Sequence, residues 1–128
     1  MKVTLELTWR GMGFAVTQFD TSLWRAAIAK KNLKREAYRR RKLAQLRRQL
    51  ADYFARKKVA RVYVIGSIVR PGAFDETSDI DIAVLGLKED YLRVSSELEA
   101  LVERELDLIE LEYCRFAAEV EREGLRII

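Results

Sequence analysis

The sequence predicts a small α/β protein whose elements run helix, strand, strand, helix, strand, helix. Three observations predict it. Apolar residues at Leu43, Leu46, Leu50 and Phe54 recur at three- and four-residue steps, the period of a helix with one buried stripe. The run "ARVYVIG" at 60–66 is β-branched and aromatic, and "DIDIAVLG" at 79–86 alternates; both end in glycine and read as strands. Further on, "ELDLIELE" at 105–112 alternates strictly, after Tyr91, Val94, Leu98, Leu101 and Val102 have marked a helix over roughly 89–103.

Taken in order, the chain opens on "VTLEL", which alternates like a short strand until Gly11 and Gly13 break it. Its "GMGFAV" lacks the third glycine of a dinucleotide fingerprint and no helix-capping pattern follows, so residues 1–21 receive no role. Asp20, Thr21 and Ser22 offer N-cap oxygens to a helix running from Leu23 to about Lys57, with no Pro or Gly inside to stop it. The first half of that helix, with Trp24, Ala27, Ile28 and Leu33, is less regular and is expected to project or to pack on a partner. A polar turn region with Pro71 and Gly72 separates the first two strands, and a last helix around 114–123, closed by Gly124, leads into the apolar tail "LRII". The expected organisation is a single domain over 1–128: an N-terminal segment 1–21, a long basic helix 22–58, a catalytic core 59–112, and a C-terminal helix and tail 113–128.

At 128 residues, 49% apolar and 34% charged, the chain has the balance of one globular domain. No apolar run approaches the roughly 20 residues needed to span a bilayer, and the N-terminus lacks the plan of a secretory signal. A cytoplasmic protein with no membrane partner is the expectation. Cys114 is the only cysteine, which rules out an internal disulfide and a Cys-rich zinc site. Histidine is absent, so catalysis through a Ser-His-Asp or Cys-His arrangement and any His-ligated metal are excluded. Chemistry here has to run on carboxylates, hydroxyls and cations.

Charge is segregated along the chain. Residues 1–70 hold 18 Lys/Arg and 4 Asp/Glu, and residues 71–128 hold 6 and 16, so the halves carry +14 and −10. Eleven basic residues lie in 25–48 against the single acid Glu36. Such a stripe suits an acidic protein, RNA phosphates, or the acidic half of the same chain or of a second copy. Tyr38 is the one aromatic within its most basic part, which weighs against base stacking and hence against nucleic acid as the partner.

The acids of the second half are placed with equal bias. Successive strand side chains point to opposite faces, so Asp79 and Asp81 share a face at a separation of about 7 Å while Ile80 and Ile82 enter the core. Two carboxylates this close repel unless a cation lies between them, and Mg2+ takes such oxygens while keeping water or phosphate as its other ligands. Asp107 lies between Leu106 and Leu108 and completes a triad if its strand neighbours 79–85. Glu105 shares its face nearer the strand start, and Glu110 points the other way. Gly66 at a strand end lets the backbone approach a phosphate closely, and Ser67 offers an N–H and a hydroxyl.

"GS", eleven intervening residues, "DID" in an apolar strand, and "LDLIE" one helix later together resemble the minimal nucleotidyltransferases of the DNA polymerase beta-like superfamily. The resemblance covers roughly 40–128. It implies an α/β (α+β) nucleotidyltransferase fold, a small mixed β-sheet with packed helices, here preceded by the long basic helix. It also implies that Gly66, Ser67 and Arg70 bind the nucleotide triphosphate, that Asp79, Asp81 and Asp107 are catalytic, and that these acids hold two Mg2+ ions. The loop from Ser67 to Asp79 is about one residue longer than the commonest spacing among small members, an insertion that loops absorb at little cost. The implied reaction transfers a nucleoside monophosphate, AMP from ATP, to an acceptor hydroxyl. Minimal members of this kind are similar to antitoxins encoded beside HEPN-domain ribonuclease toxins, where the acceptor is a tyrosine of the toxin. The resemblance therefore implies a HEPN toxin as partner. The alternative is a non-catalytic antitoxin or RNA-binding protein that uses the basic helix 25–48, and a homo-oligomer is compatible with either.

Overall fold

The computed structural model describes residues 2–9 and 12–128. Two compact units divide the chain, Met1–Lys34 and Arg35–Ile128, and the long helix contributes to both. Among the described residues no helix is long and apolar enough to cross a membrane.

The first unit opens with an antiparallel pair, β1 (Lys2–Trp9) and β2 (Met12–Asp20), whose register shifts between Val3 and Leu5. The break expected at Gly11 lies outside the described residues. The one expected at Gly13 does not occur, because Gly13 pairs with Thr8 inside β2. Helix α1 (Ser22–Phe54) follows at once. The Asp20 carboxylate accepts the Ser22 N–H at 2.9 Å, which satisfies a backbone donor at the helix start and holds that carboxyl below its usual range. Leu23, Trp24 and Leu33 are exposed, as the irregular apolar spacing of that half implies.

The second unit is built on a four-stranded mixed sheet in the order β5-β4-β3-β6. Strand β3 (Arg61–Ile65) pairs antiparallel with β4 (Ile80–Leu85), and β4 pairs parallel with β5 (Leu106–Glu110). The parallel pair requires a crossover, which α2 (Tyr91–Val102) supplies. Asp90 caps α2 by accepting the Leu92 and Arg93 N–H groups. Helix α3 (Ala117–Glu123) then leads into β6 (Leu125–Arg126), which pairs antiparallel with β3. The "LRII" tail is thus an edge strand, and Ile127 extends it by donating to the Val62 carbonyl at 2.7 Å. Two residues are too few to show a period, so the sequence carried no strand signal there.

Alternation along the strands splits the core into two faces. Val62, Val64, Ile80, Ile82, Val84, Leu106 and Leu108 pack with Leu46, Leu50 and Phe54 of α1 and with Val94 and Leu98 of α2. Tyr63 and Ala83 turn to the other face, where Leu111 and Val120 cover them. That second cover is thin because α3 has only 7 residues. One face of the sheet is therefore thickly buried, and the other leaves room at the strand ends for polar side chains. Leu50 is completely buried on the thick side. Its replacement by alanine is expected to cost about 2–5 kcal/mol of stability, read as a lower urea midpoint at unchanged slope.

Candidate active site

Strand β3 ends at Ile65, and Gly66 turns the chain into a single 3-10 turn, Ser67–Val69. Gly66 has φ 83 and ψ −156, a conformation open almost only to glycine. A Cβ built there would overlap Oδ2 of Asp81 and lie 3.3 Å from its Cγ. The missing side chain is what lets the backbone lie against that carboxylate. The turn closes with Arg70 N–H donating to the Ser67 carbonyl at 3.1 Å. Ser67 is half-buried and Arg70 exposed.

The carboxylates come from adjacent strands. Asp81 stands opposite Ile65 across the antiparallel pair and opposite Asp107 across the parallel pair. All three positions lie on the thinly covered face, since the buried Ile80, Ile82, Leu106 and Leu108 take the other one. Asp79 sits one residue ahead of β4 and is exposed, as is Asp107, while Asp81 is half-buried. Burial first, then the neighbouring Asp107 carboxylate and the charge of Asp79, pushes the Asp81 carboxyl above its usual range. The charge of Arg70 acts against this.

The structure thus brings Asp81, Asp107, Gly66 and Arg70 together, with Asp79 close enough to act on Asp81 by charge. The strand adjacency on which a triad depends is present. Among the described residues, no three acidic or thiol side chains already stand in metal-ligand geometry. The chemistry of the donor set nonetheless fits a hard divalent cation, because these are carboxylate oxygens crowded on one face with Arg70 as the cation acting on Asp81.

A cavity of about 250 Å³ adjoins the cluster, lined by Ile65, Gly66 and Arg70, by Phe116 just ahead of α3, and by Glu119 and Glu123 of α3. The sequence reading gave α3 no part in the site. A signal was present, since residues 119 and 123 are spaced four apart and so share one helical face.

Residues 48–128, well over half of the chain, match the family model described as polymerase beta, nucleotidyltransferase. No curated protein matches the chain. A crystal structure of a toxin-antitoxin with AMP-PNP is similar, with a TM-score of 0.54 and 22% identity over 64% of this chain and 72% of that one. A second, of the toxin-antitoxin MntA-HpeT, carries a mutant in which two aspartates two positions apart are changed to glutamate. It gives a TM-score of 0.52 and 19% identity over 64% of this chain and 71% of that one. At these identities the likeness is one of fold.

Proposed function

We propose, because the chain belongs to the polymerase beta nucleotidyltransferase family, that it transfers AMP from ATP to a hydroxyl acceptor, a tyrosine of a partner toxin, and so acts as an antitoxin. The observation that carries this reading is the register of Asp81 with Asp107 beside a glycine that only a missing side chain allows to approach. In this scheme the acceptor oxygen bonds to the α-phosphorus of ATP, the bond from that phosphorus to the bridging oxygen breaks, and pyrophosphate leaves. Asp107 takes the hydroxyl proton or helps hold the cation beside the acceptor. Asp79 and Asp81 would hold Mg2+, a hard cation suited to carboxylate and phosphate oxygens. When bound, the two ions would make the acceptor oxygen more nucleophilic and stabilise the charge on the leaving group. Gly66 and Ser67 receive the triphosphate, and Arg70 offsets its charge.

The toxin-antitoxin neighbours support a toxin as the acceptor, and one of them was solved with an ATP analogue. The mutated aspartates of the other are spaced as Asp79 and Asp81 are. The test is incorporation of label from α-labelled ATP into a helical protein encoded next to this chain, with and without EDTA. Label on a tyrosine that requires Mg2+ is the expected result, and no label with the cognate partner present would sink the proposal.

A second reading rests on the exposed Arg40, Arg41, Arg47 and Arg48 of α1, a basic face that would bind an acidic partner or RNA without catalysis. On that reading binding falls steeply with salt, and charge reversal on α1 abolishes function while the aspartates are dispensable.

A further inference from the structure

The loop from Ile68 to Ser78 links the Gly-Ser turn to the aspartates, and its own backbone bonds are sparse. They amount to short-range turn contacts such as Ala73 N–H to the Arg70 carbonyl at 3.2 Å and Ser78 N–H to the Asp75 carbonyl at 3.2 Å. Pro71 can donate nothing. One turn of α1 supplies anchors at the near end of the loop. Glu36 accepts the Gly72 N–H at 3.0 Å. Arg39 donates from Nη1 to the Ile68 carbonyl at 2.9 Å and from Nε to both Glu36 oxygens at 3.1 Å. Tyr38 stacks on the fully buried Phe74, with ring centroids 5.9 Å apart. Arg104 closes the far end: it lies 4.5 Å from the Phe74 ring centroid and donates to the Tyr38 hydroxyl and to the carbonyls of Asp75 and Ser78.

Arg39 is 7% exposed, although it belongs to the basic stripe that composition alone assigns to the surface. A buried guanidinium is costly unless paired, and Glu36 provides the pairing. The pairing in turn holds Glu36 ionised, with its carboxyl lowered to about 2 by the Arg39 and Gly72 bonds. The whole anchoring turn, residues 36–39, lies upstream of the residues that match the family model, which begin at 48.

We propose that Glu36 and Arg39 are positioning residues for the nucleotide: they fix the loop behind Gly66 and Ser67 so that it presents one conformation to the triphosphate. The long helix is then part of the site rather than only a docking surface. This inference rests on the nucleotidyltransferase reading above. Arg39 acts through its bonds to the Ile68 carbonyl and to Glu36.

The test uses the full chain. Arg39→Lys keeps the charge but cannot span Glu36 and Ile68 with one planar fork; Glu36→Gln keeps an acceptor for Gly72 and loses the ion pair. Both variants are expected to exchange the amides of residues 67–73 faster without nucleotide and to weaken Mg-ATP binding by about 5- to 20-fold. The KM for ATP rises with it while that for the acceptor stays. Leu50→Val, a core truncation that leaves Glu36, Arg39 and their bonds to the loop in place, serves as a stability control and should leave ATP binding within about twofold. Unchanged exchange in both variants, or faster exchange with wild-type ATP affinity, overturns the positioning role alone. A wild-type protein that binds no nucleotide overturns the proposed function and this role with it.

Discussion

Asp81→Asn is expected to reduce nucleotidyl transfer by at least about 10³-fold, roughly 4 kcal/mol of transition-state stabilisation, while the protein melts no lower than wild type in metal-free buffer. The first half follows from geometry. Asp81 sits within β4, held between the buried Ile80 and Ile82, against Gly66 and beside Asp107 of β5. An amide fills the same volume but removes the charge that would hold a cation. The second half follows from the sign of its titration. Asp81 holds its proton more tightly in the folded chain than in the unfolded one, so the stability it contributes is complete below the unfolded value and is lost as pH rises through the folded value. Above that folded value the carboxylate is ionised and faces the charges of Asp107 and Asp79. The neutral variant should therefore gain about 1–4 °C in melting temperature, a gain that shrinks as the pH is lowered and Asp81 in the wild type takes up its proton. Glu36 has the opposite sign: its folded value near 2 makes it stabilising at neutral pH, and that contribution fades only as pH falls from the ordinary glutamate range toward 2. Melting curves in EDTA at neutral and mildly acidic pH, with transfer assays in Mg2+, check both halves. Activity within tenfold of wild type would remove Asp81 from the chemistry.

The strand parity that points to Asp81 and Asp107 is a local signal, and it was legible for that reason. A period of two with isoleucine and leucine on one side fixes which face the acids take, whatever the strand order. The adjacency of β4 and β5 was a condition the sequence could only pose, since pairing joins residues 26 positions apart, Asp81 with Asp107. Asp79 shows where parity overreaches. It was assigned to the strand with Asp81, yet β4 begins at Ile80, so only one of the two has a strand to hold it. The anchors of the loop were illegible for a related reason. Arg39 and the Ile68 carbonyl lie 29 positions apart, as do Arg104 and the Asp75 carbonyl. Nothing in the run "YRRRK" distinguishes the buried arginine from its exposed neighbours except the phase of the helix, for Arg39 precedes the buried Leu46 by seven residues and Leu50 by eleven. A heptad counted back from the apolar stripe would have placed it on the inner face. The strands β2 and β6 were missed on different grounds. Glycines led the reading past the β-branched and aromatic "GFAVTQF", and β6 is only two residues long.

Gly66→Ala is expected to be the most damaging of the small substitutions, because it combines two costs at one atom. The backbone at φ 83 and ψ −156 is closed to residues with a side chain and costs about 1–3 kcal/mol to enforce. The added methyl also falls on Oδ2 of Asp81, so either the turn or the carboxylate has to move. Gly72 separates the two effects. It too has a positive φ, 75, but nothing lies within 4 Å of a Cβ built there, so its alanine variant carries the strain without the clash. Gly72→Ala should therefore lose about 1 kcal/mol of stability and retain measurable transfer, whereas Gly66→Ala should lose more and drop transfer by at least about 100-fold, near 2.7 kcal/mol. A double-mutant cycle isolates the clash. With Asp81 shortened to alanine the carboxylate is gone while the strain at Gly66 persists, so Gly66→Ala should cost measurably less stability in that background than in the wild type. Equal costs in the two backgrounds would mean that the Gly66 backbone and the Asp81 carboxylate do not constrain each other in solution. The close approach around which this site is built would then have no energetic consequence.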